Sequence, residues 1–367
     1  MGLPLRDDYR ELFLSGVPLL DVRAPVEFAQ GAFPGAVNLP LLDDEQRRQV
    51  GVRYKEQGQQ SAIELGHELV SGPVKEQRLA RWAAFVNAHP EGALYCFRGG
   101  LRSRISQEWI HHHTGVSYPR IKGGYKAMRR FLLAELERIM GAVQPVVLSG
   151  RTGTGKTLLL QRLCQQVDLE GIFRHRGSAF GRRVQAQPSQ IDIENSLAIV
   201  LLRHQAAGRR KLVFEDESGN IGSRRVPDAV LQALAGAPLV VLRRDFEARV
   251  SVVFEEYIDQ ALAEYRQVLG PERGFQAWSD NLLGALERIQ RRLGGLRYRQ
   301  ILGAMTLALE EHRQHGERAG HRQWIAALLR DYYDPMYDYQ LSQKAGRVVF
   351  EGEPEAVLAF LHSQGLS

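Results

Sequence analysis

Apolar positions along this chain follow two rhythms. Short apolar runs at 19–22 and 93–96 are separated by stretches with helical spacing, such as 75–86, and this alternation predicts a parallel sheet flanked by helices. A second unit of the same kind opens at Pro145-Val146-Val147-Leu148 and continues through 212–214 and 239–242. It closes with 348–350, ahead of a last helix from near Glu353. From about 246 to 332 the spacing is helical without interruption, as in Leu282, Leu283, Leu286, Ile289 and Leu293. The expected organisation is α/β throughout, with one parallel-sheet domain over 1–138 and a second over 139–367. The second carries a helical subdomain over 246–332, and the boundary falls near 135–144. No internal repeat, low-complexity tract or long linker interrupts the pattern.

Composition narrows the class without changing this picture. A chain of 367 residues can bury two separate cores. With 44% apolar and 25% charged residues, and no apolar run of bilayer length, no membrane span is expected. The opening Met1-Gly2-Leu3-Pro4-Leu5-Arg6-Asp7-Asp8 turns acidic before any stretch of signal-peptide length, so the expected location is the cytoplasm. The two cysteines, Cys96 and Cys164, make no disulfide framework, and any role for either is that of a reduced thiol. A formal charge of +6 permits an anionic partner such as RNA.

Gly150-Arg151-Thr152-Gly153-Thr154-Gly155-Lys156-Thr157 satisfies every fixed position of the P-loop pattern and follows an apolar run. Glycines there let backbone N–H groups wrap a phosphate chain. Lys156 brings positive charge to the terminal phosphates, and Thr157 can reach a magnesium ion. The helix expected from Leu158-Leu159-Leu160 would turn its positive end to the anion. An acidic residue at the end of a neighbouring strand is expected as a partner. Glu215, Asp216 and Glu217 are all candidates, the register is open, and Asp216 is preferred.

The second chemical signal is Leu94-Tyr95-Cys96-Phe97-Arg98-Gly99-Gly100-Leu101-Arg102-Ser103, a cysteine at a strand end followed by a tight loop, with a helix expected from near Ser103. Backbone N–H groups of Gly99 and Gly100, with the charges of Arg98 and Arg102, would favour thiolate over thiol. Cysteine and arginine at this spacing also serve phosphatases. The flanks decide between the two. Asp21, Arg23, Glu27, Gly31, Pro34, Gly35, Ala36, Asn38 and Pro40 upstream, with Gly123-Gly124-Tyr125-Lys126-Ala127 downstream, resemble the opening and closing signatures of rhodanese sulfurtransferase domains. Asp21, Arg23 and Glu27 read as pairing internally, and the segment 61–69 as an amphipathic helix without an assigned role.

A rhodanese-like domain followed by a P-loop domain, with Phe173-Arg174-His175-Arg176-Gly177-Ser178-Ala179-Phe180-Gly181 after the loop and Tyr333-Asp334-Pro335-Met336-Tyr337 near the end, resembles the bacterial tRNA 2-selenouridine synthases over essentially the whole chain. The resemblance implies replacement of sulfur by selenium in wobble 2-thiouridine of tRNA. Selenophosphate is the implied selenium donor, and an S-geranylated intermediate forms from geranyl diphosphate. It makes Cys96 the thiol for selenium transfer and Gly150 to Thr157 the diphosphate cradle. No tightly bound cofactor is implied, and magnesium is compatible with the loop.

Candidate tRNA contacts are Arg174, Arg176, Arg182 and Arg183 after the P-loop, and Arg288, Arg291, Arg292, Arg297 and Arg299 around Tyr298, which could stack on a base. No metal site is expected, since the adjacent His111, His112 and His113 point in different directions on a helix. Cys164 is expected to pack inside the helix after the P-loop. A nucleotide-dependent sulfurtransferase or kinase with a small substrate is the alternative enzyme. A non-catalytic rhodanese-like sensor on an NTPase is disfavoured, because both loops are intact.

Overall fold

The computed structural model describes residues 2–367 and divides into two compact units. The first comprises the described residues up to Ile139 together with 189–207, and the second comprises 140–188 with 208–367.

In the first unit, strands β1 (Leu5–Arg6), β2 (Leu19–Asp21), β3 (Val37–Asn38), β4 (Ala93–Tyr95) and β5 (Arg120–Ile121) form a parallel sheet in the order β1-β5-β4-β2-β3. The strands are short and β2 and β4 are wholly buried, as expected where helices cover both faces. Trp82, from the helix Gly72–Ala88, sits fully buried among Leu20, Leu94 and Ile110 and donates to Leu39 O at 2.9 Å. The helix Gln190–Ala206 belongs here, although chain continuity alone assigns it to the second domain. Ala32 N donates to Asp192 at 2.7 Å, Asn195 donates back to Ala32 O at 2.8 Å, and Arg129 pairs with Glu194.

The second unit is built on β6 (Gln144–Ser149), β7 (Gln166–Val167), β8 (Lys211–Glu215), β11 (Leu239–Leu242) and β12 (Val348–Gly352). These are all parallel, in the order β12-β11-β6-β8-β7. A small hairpin of β9 (Asn220–Ile221) and β10 (Arg224–Arg225) follows β8. The strand leading to the P-loop is therefore central, between β8 and β11, and the residues at its C-terminal end meet those of both neighbours.

Helices fill the sequence from Phe246 to Ser342 around a separate apolar cluster that includes Trp278, Leu286, Met305 and Trp324. This region outlasts the expected limit of 332 because Pro335 sits in the first turn of the helix Asp334–Ser342. There its missing N–H costs nothing.

Candidate functional site

Cys96 follows β4 directly and is buried. Its thiol donates to Ser103 Oγ at 3.2 Å, and the Ser103 hydroxyl donates to Gly100 O at 3.0 Å. Ser103 lies in the first turn of the helix Leu101–Thr114, which starts two residues before the expected position. The loop is held by the closing glycine segment. Tyr125 N donates to Cys96 O and Lys126 N to Phe97 O, both at 2.9 Å. Gly124, at φ +58, leaves no room for a Cβ against Cys96 O and Gly99 N. A Cβ on Gly99, at φ +64, would lie 2.7 Å from both Ile121 O and Gly123 N.

Two buried ion pairs surround this loop. Arg23 pairs with Asp21 at 2.6 Å, lies over the Tyr125 ring at 3.8 Å and donates to Gly31 O, so these residues are structural. Glu27, by contrast, takes Arg102 of the thiol loop in a two-pronged contact at 2.5 and 3.0 Å. Against the opposing effect of burial, Glu27 raises the Arg102 pKa, and Cys96 and Asp21 add to the effect. Arg102 thus stays charged near the sulfur, while much of its field is matched by Glu27. Arg98 is exposed.

In the second unit the chain leaves β6 at Ser149 and forms the P-loop. Gly153 and Gly155 adopt φ +81 and +82, which only glycine takes at little cost. A Cβ on Gly150 would lie 2.7 Å from Leu242 O. Thr154 closes the turn by donating to Arg151 O from both its N–H, at 3.2 Å, and its hydroxyl, at 2.9 Å. Lys156 Nζ folds onto Gly150 O at 2.8 Å. The helix that follows, Lys156–Leu160, is only one turn long, so the cradle consists of loop N–H groups and Lys156 more than of a helix dipole.

Residues from the Tyr333-to-Tyr337 motif brace this loop. Arg249, buried, donates to Thr152 O at 3.0 Å and grips Asp334 at 2.5 and 3.0 Å. Arg151 pairs with Asp338 at 2.7 Å, and Tyr337 OH lies 3.2 Å from Ser149 Oγ. Ser149 donates to Asp216 at 2.5 Å, and Lys344 closes on the same carboxylate at 2.6 Å.

The residue that reaches Thr157 is Glu215, whose Oε1 accepts from the threonine hydroxyl at 3.0 Å. Asp216 is instead held by Ser149 and Lys344. Glu170 Oε2 is 3.3 Å from the same hydroxyl, and oxygens of Glu170, Glu215 and Glu217 all lie within 4.8 Å of one another. Burial and mutual repulsion push the Glu170 and Glu215 carboxyls upward. Burial, opposed by Lys156 and aided by Asp216, pushes Glu217 up to about 7. An all-oxygen donor set beside a P-loop threonine fits a hard divalent cation, and these three carboxylates with Thr157 would hold one. Among the described residues this is the one cluster of three potential metal ligands.

A family model described as the tRNA 2-selenouridine synthase AAA domain matches residues 143–366. Curated proteins called tRNA 2-selenouridine synthase match nearly end to end. That of Marinobacter nauticus is 51% identical over 98% of this chain and 98% of its own, and that of Cupriavidus pinatubonensis 52% identical over 97% and 98%. That of Hahella chejuensis is 54% identical over 97% of this chain and 94% of its own. The chain belongs to the tRNA 2-selenouridine synthase family.

This member of the selenouridine synthase family distributes its expected RNA contacts unevenly. Arg176 is buried and paired with Glu256 and Glu264, and Arg183 shares Glu264. Arg288 donates to Ala179 O at 2.9 Å, and Tyr298 packs half-buried on the helical core. Arg174, Arg182, Arg292 and Arg297 are exposed, and Arg174 holds φ +50, unusual for a side chain of its size. Cys164 is exposed in a turn, because the P-loop helix has already ended at Leu160.

Sequence reasoning missed Arg244, just past β11. Its guanidinium lies 3.5 to 3.6 Å from where a Cβ on Gly155 would stand, and among the described residues no carboxylate pairs with it. It also missed Glu170 and the bracing by Arg249 and Asp334. The only available signal was the Tyr333-to-Tyr337 motif, noted without a role.

Proposed function

We propose that this protein converts 2-thiouridine at the tRNA wobble position to 2-selenouridine, using selenophosphate as selenium donor and an S-geranylated intermediate. The observation that carries the reading is the presence on one chain of a complete thiol loop and a complete P-loop, in a member of this family. A sensor or scaffold would have no need of both.

The chemistry divides into two displacements. In the first, the thiouridine sulfur attacks C1 of geranyl diphosphate. The S–C bond forms, the C–O bond to diphosphate breaks, and the pyrimidine N3 proton is released. Loop N–H groups from Gly150, Thr152, Gly153 and Gly155, with Lys156, would hold the departing diphosphate, while the Thr154 N–H stays on Arg151 O. A magnesium ion at Thr157 and Glu215 would screen its charge. In the second, the selenium of selenophosphate adds at C2 of the pyrimidine, the C2–S bond breaks and geranylthiol leaves with a proton; water then cleaves the P–Se bond, releasing phosphate and leaving the 2-selenouracil with its N3 proton restored. Cys96 serves this step, with Ser103 positioned to turn its hydroxyl toward a thiolate. Exposed Arg174, Arg182, Arg291, Arg292, Arg297 and Arg299 are open to tRNA phosphates.

The test is mass spectrometry of wobble uridine in tRNA from cells lacking the protein, complemented with wild type, Cys96→Ala or Lys156→Ala and grown with selenium. The expected result is geranylated base accumulating in Cys96→Ala and neither product in Lys156→Ala. Selenouridine persisting in the deletion would overturn the reading in favour of a nucleotide-dependent sulfurtransferase.

A further inference from the structure

The first unit contains a cavity of about 230 Å³ that neither displacement uses as described above. Leu41, Leu42, Val50, Ala62, Ile63 and Val70 wall it, with Trp109 and Ile105 opposite. Leu101 and Arg102 of the thiol loop line it too. Leu41, Leu42 and Val70 also belong to the apolar cluster that contains Cys96, so thiol and cavity lie on the same core. The segment 61–69, which the sequence left without a role, supplies one side. It does so because the helix Asp44–Leu69 breaks at Gly58, where φ is +82, and both halves face the cavity.

This lining is at odds with the polar reactants of a selenium step. Selenophosphate, a uracil ring and a phosphodiester all need hydrogen-bond partners. Most of the wall is leucine, isoleucine and valine, which leaves such reactants few partners beyond Tyr54, Gln59, His67 and Arg102. An aliphatic chain has the opposite need. At about 30 Å³ for each water- or methylene-sized group, the cavity takes roughly eight such groups. That is the scale of a short branched aliphatic chain. Arg102, which lines the cavity and feels the charge of Cys96, is where a polar reacting centre would lie.

We propose that this cavity binds the isoprenoid chain of S-geranyl-2-thiouridine during selenium exchange, so that the group to be expelled also anchors the nucleoside beside Cys96. The inference rests on the proposed function for the identity of the chain. Binding the leaving group at Cys96 selects the geranylated RNA over unmodified 2-thiouridine, and it keeps the second displacement from starting before the first is complete. No new bond is required of the cavity.

The experiment measures affinities of the full-length protein for a synthetic anticodon stem-loop carrying S-geranyl- or S-methyl-2-thiouridine. Wild type, Ile63→Trp, which fills the cavity, and Ile63→Ala, which thins its wall, are compared. Wild type should prefer the geranyl RNA by about tenfold or more. Ile63→Trp should lose that preference and Ile63→Ala should reduce it severalfold, with S-methyl RNA bound as before in both. Equal wild-type affinities, or a preference intact in Ile63→Trp when Ile63→Ala is also unchanged, would overturn the assignment. A cavity that answers to free geranyl diphosphate and not to geranyl RNA would overturn the RNA-bound chain as its occupant. Because the RNA is synthetic, failure of the protein to geranylate thiouridine counts against the proposed function and not against the cavity.

Discussion

Around Cys96 the positioning is done by backbone, whereas around Lys156 it is done by charge. The thiol loop is pinned by N–H groups of Tyr125 and Lys126 and by glycines too tightly packed to carry a side chain. Its own ion pair, Arg102 with Glu27, is made with the short helix Pro25–Gln30 that follows β2. The P-loop relies on Arg249, Arg151 and Lys344 pairing with Asp334, Asp338 and Asp216, and three further carboxylates stand beside Thr157. A loop fixed by backbone tolerates changes of pH and salt and fails when a methyl group is added. A loop braced by charge answers to pH and salt as well, even though Gly150 and Gly153 of the P-loop are packed as tightly as the glycines of the thiol loop.

The most damaging change should therefore be Gly124→Ala. Its Cβ meets Cys96 O and Gly99 N in a conformation that already disfavours alanine, and we expect a loss on the order of 4 kcal/mol. Gly35, at φ +75 but facing open space, provides the contrast, and Gly35→Ala should cost only about 1 kcal/mol. Calorimetry with thiol-reagent accessibility of Cys96 reads both. Equal losses would break the claim that packing against the loop backbone matters.

The second loop should answer to pH. Glu217 in the folded chain binds its proton up to about pH 7, against an ordinary glutamate value of 4.5. The folded state thus holds more protons than the unfolded one across that range. This stabilisation is complete below 4.5 and is lost as pH rises through 7, by up to about 3 kcal/mol. Thermal unfolding from pH 5 to 8 should show a falling transition temperature. Millimolar magnesium should reverse the fall more strongly at pH 8 than at pH 6, and Glu217→Gln should reduce it, leaving the part due to Glu170 and Glu215. A flat profile in the wild type would remove the case for a cation among these carboxylates.

Asp334→Asn should come next, at about 2 kcal/mol, because the buried Arg249 guanidinium keeps a hydrogen bond but loses its counter-charge. If charge is what braces the P-loop, diphosphate binding should weaken in the same variant. Retained affinity with lowered stability would confine Asp334 to the helical core.

The sequence revealed most of what backbone and periodicity specify. β11 was expected at its observed bounds, Cys96 and the P-loop were marked by glycine spacing, and both sheets are parallel as the α/β alternation requires. What was not legible lies between residues far apart in the chain. The Ala32 contacts with Asp192 and Asn195, which draw 189–207 into the first unit, leave no local mark. Nor could strand-end spacing decide between Glu215 and Asp216, since adjacent residues on a strand point to opposite sides. Arg176 looked like an RNA contact because a run of arginines carries no sign of burial, and it is paired with two glutamates inside the helical region.

Arg244 is the smallest and sharpest test of the comparison, because it belongs to the charged loop while taking no part in bracing it. Arg151 and Arg249 spend their charge on Asp338 and Asp334, and Lys156 is turned onto Gly150 O. Arg244 stands beside Gly155, half-buried, and among the described residues no carboxylate pairs with it. A cation in that position can take a phosphate oxygen without first giving up a partner, so its contribution should appear in ligand binding and leave stability nearly unchanged. We expect Arg244→Ala to weaken diphosphate binding about tenfold, or about 1.4 kcal/mol, with the transition temperature unmoved. Arg244→Lys should recover only part, because it keeps the charge and loses the planar fork. Calorimetric titration with inorganic diphosphate checks this. An unchanged affinity would mean that Lys156 and the loop N–H groups suffice, and that Arg244 is an ordinary surface cation that happens to lie near Gly155.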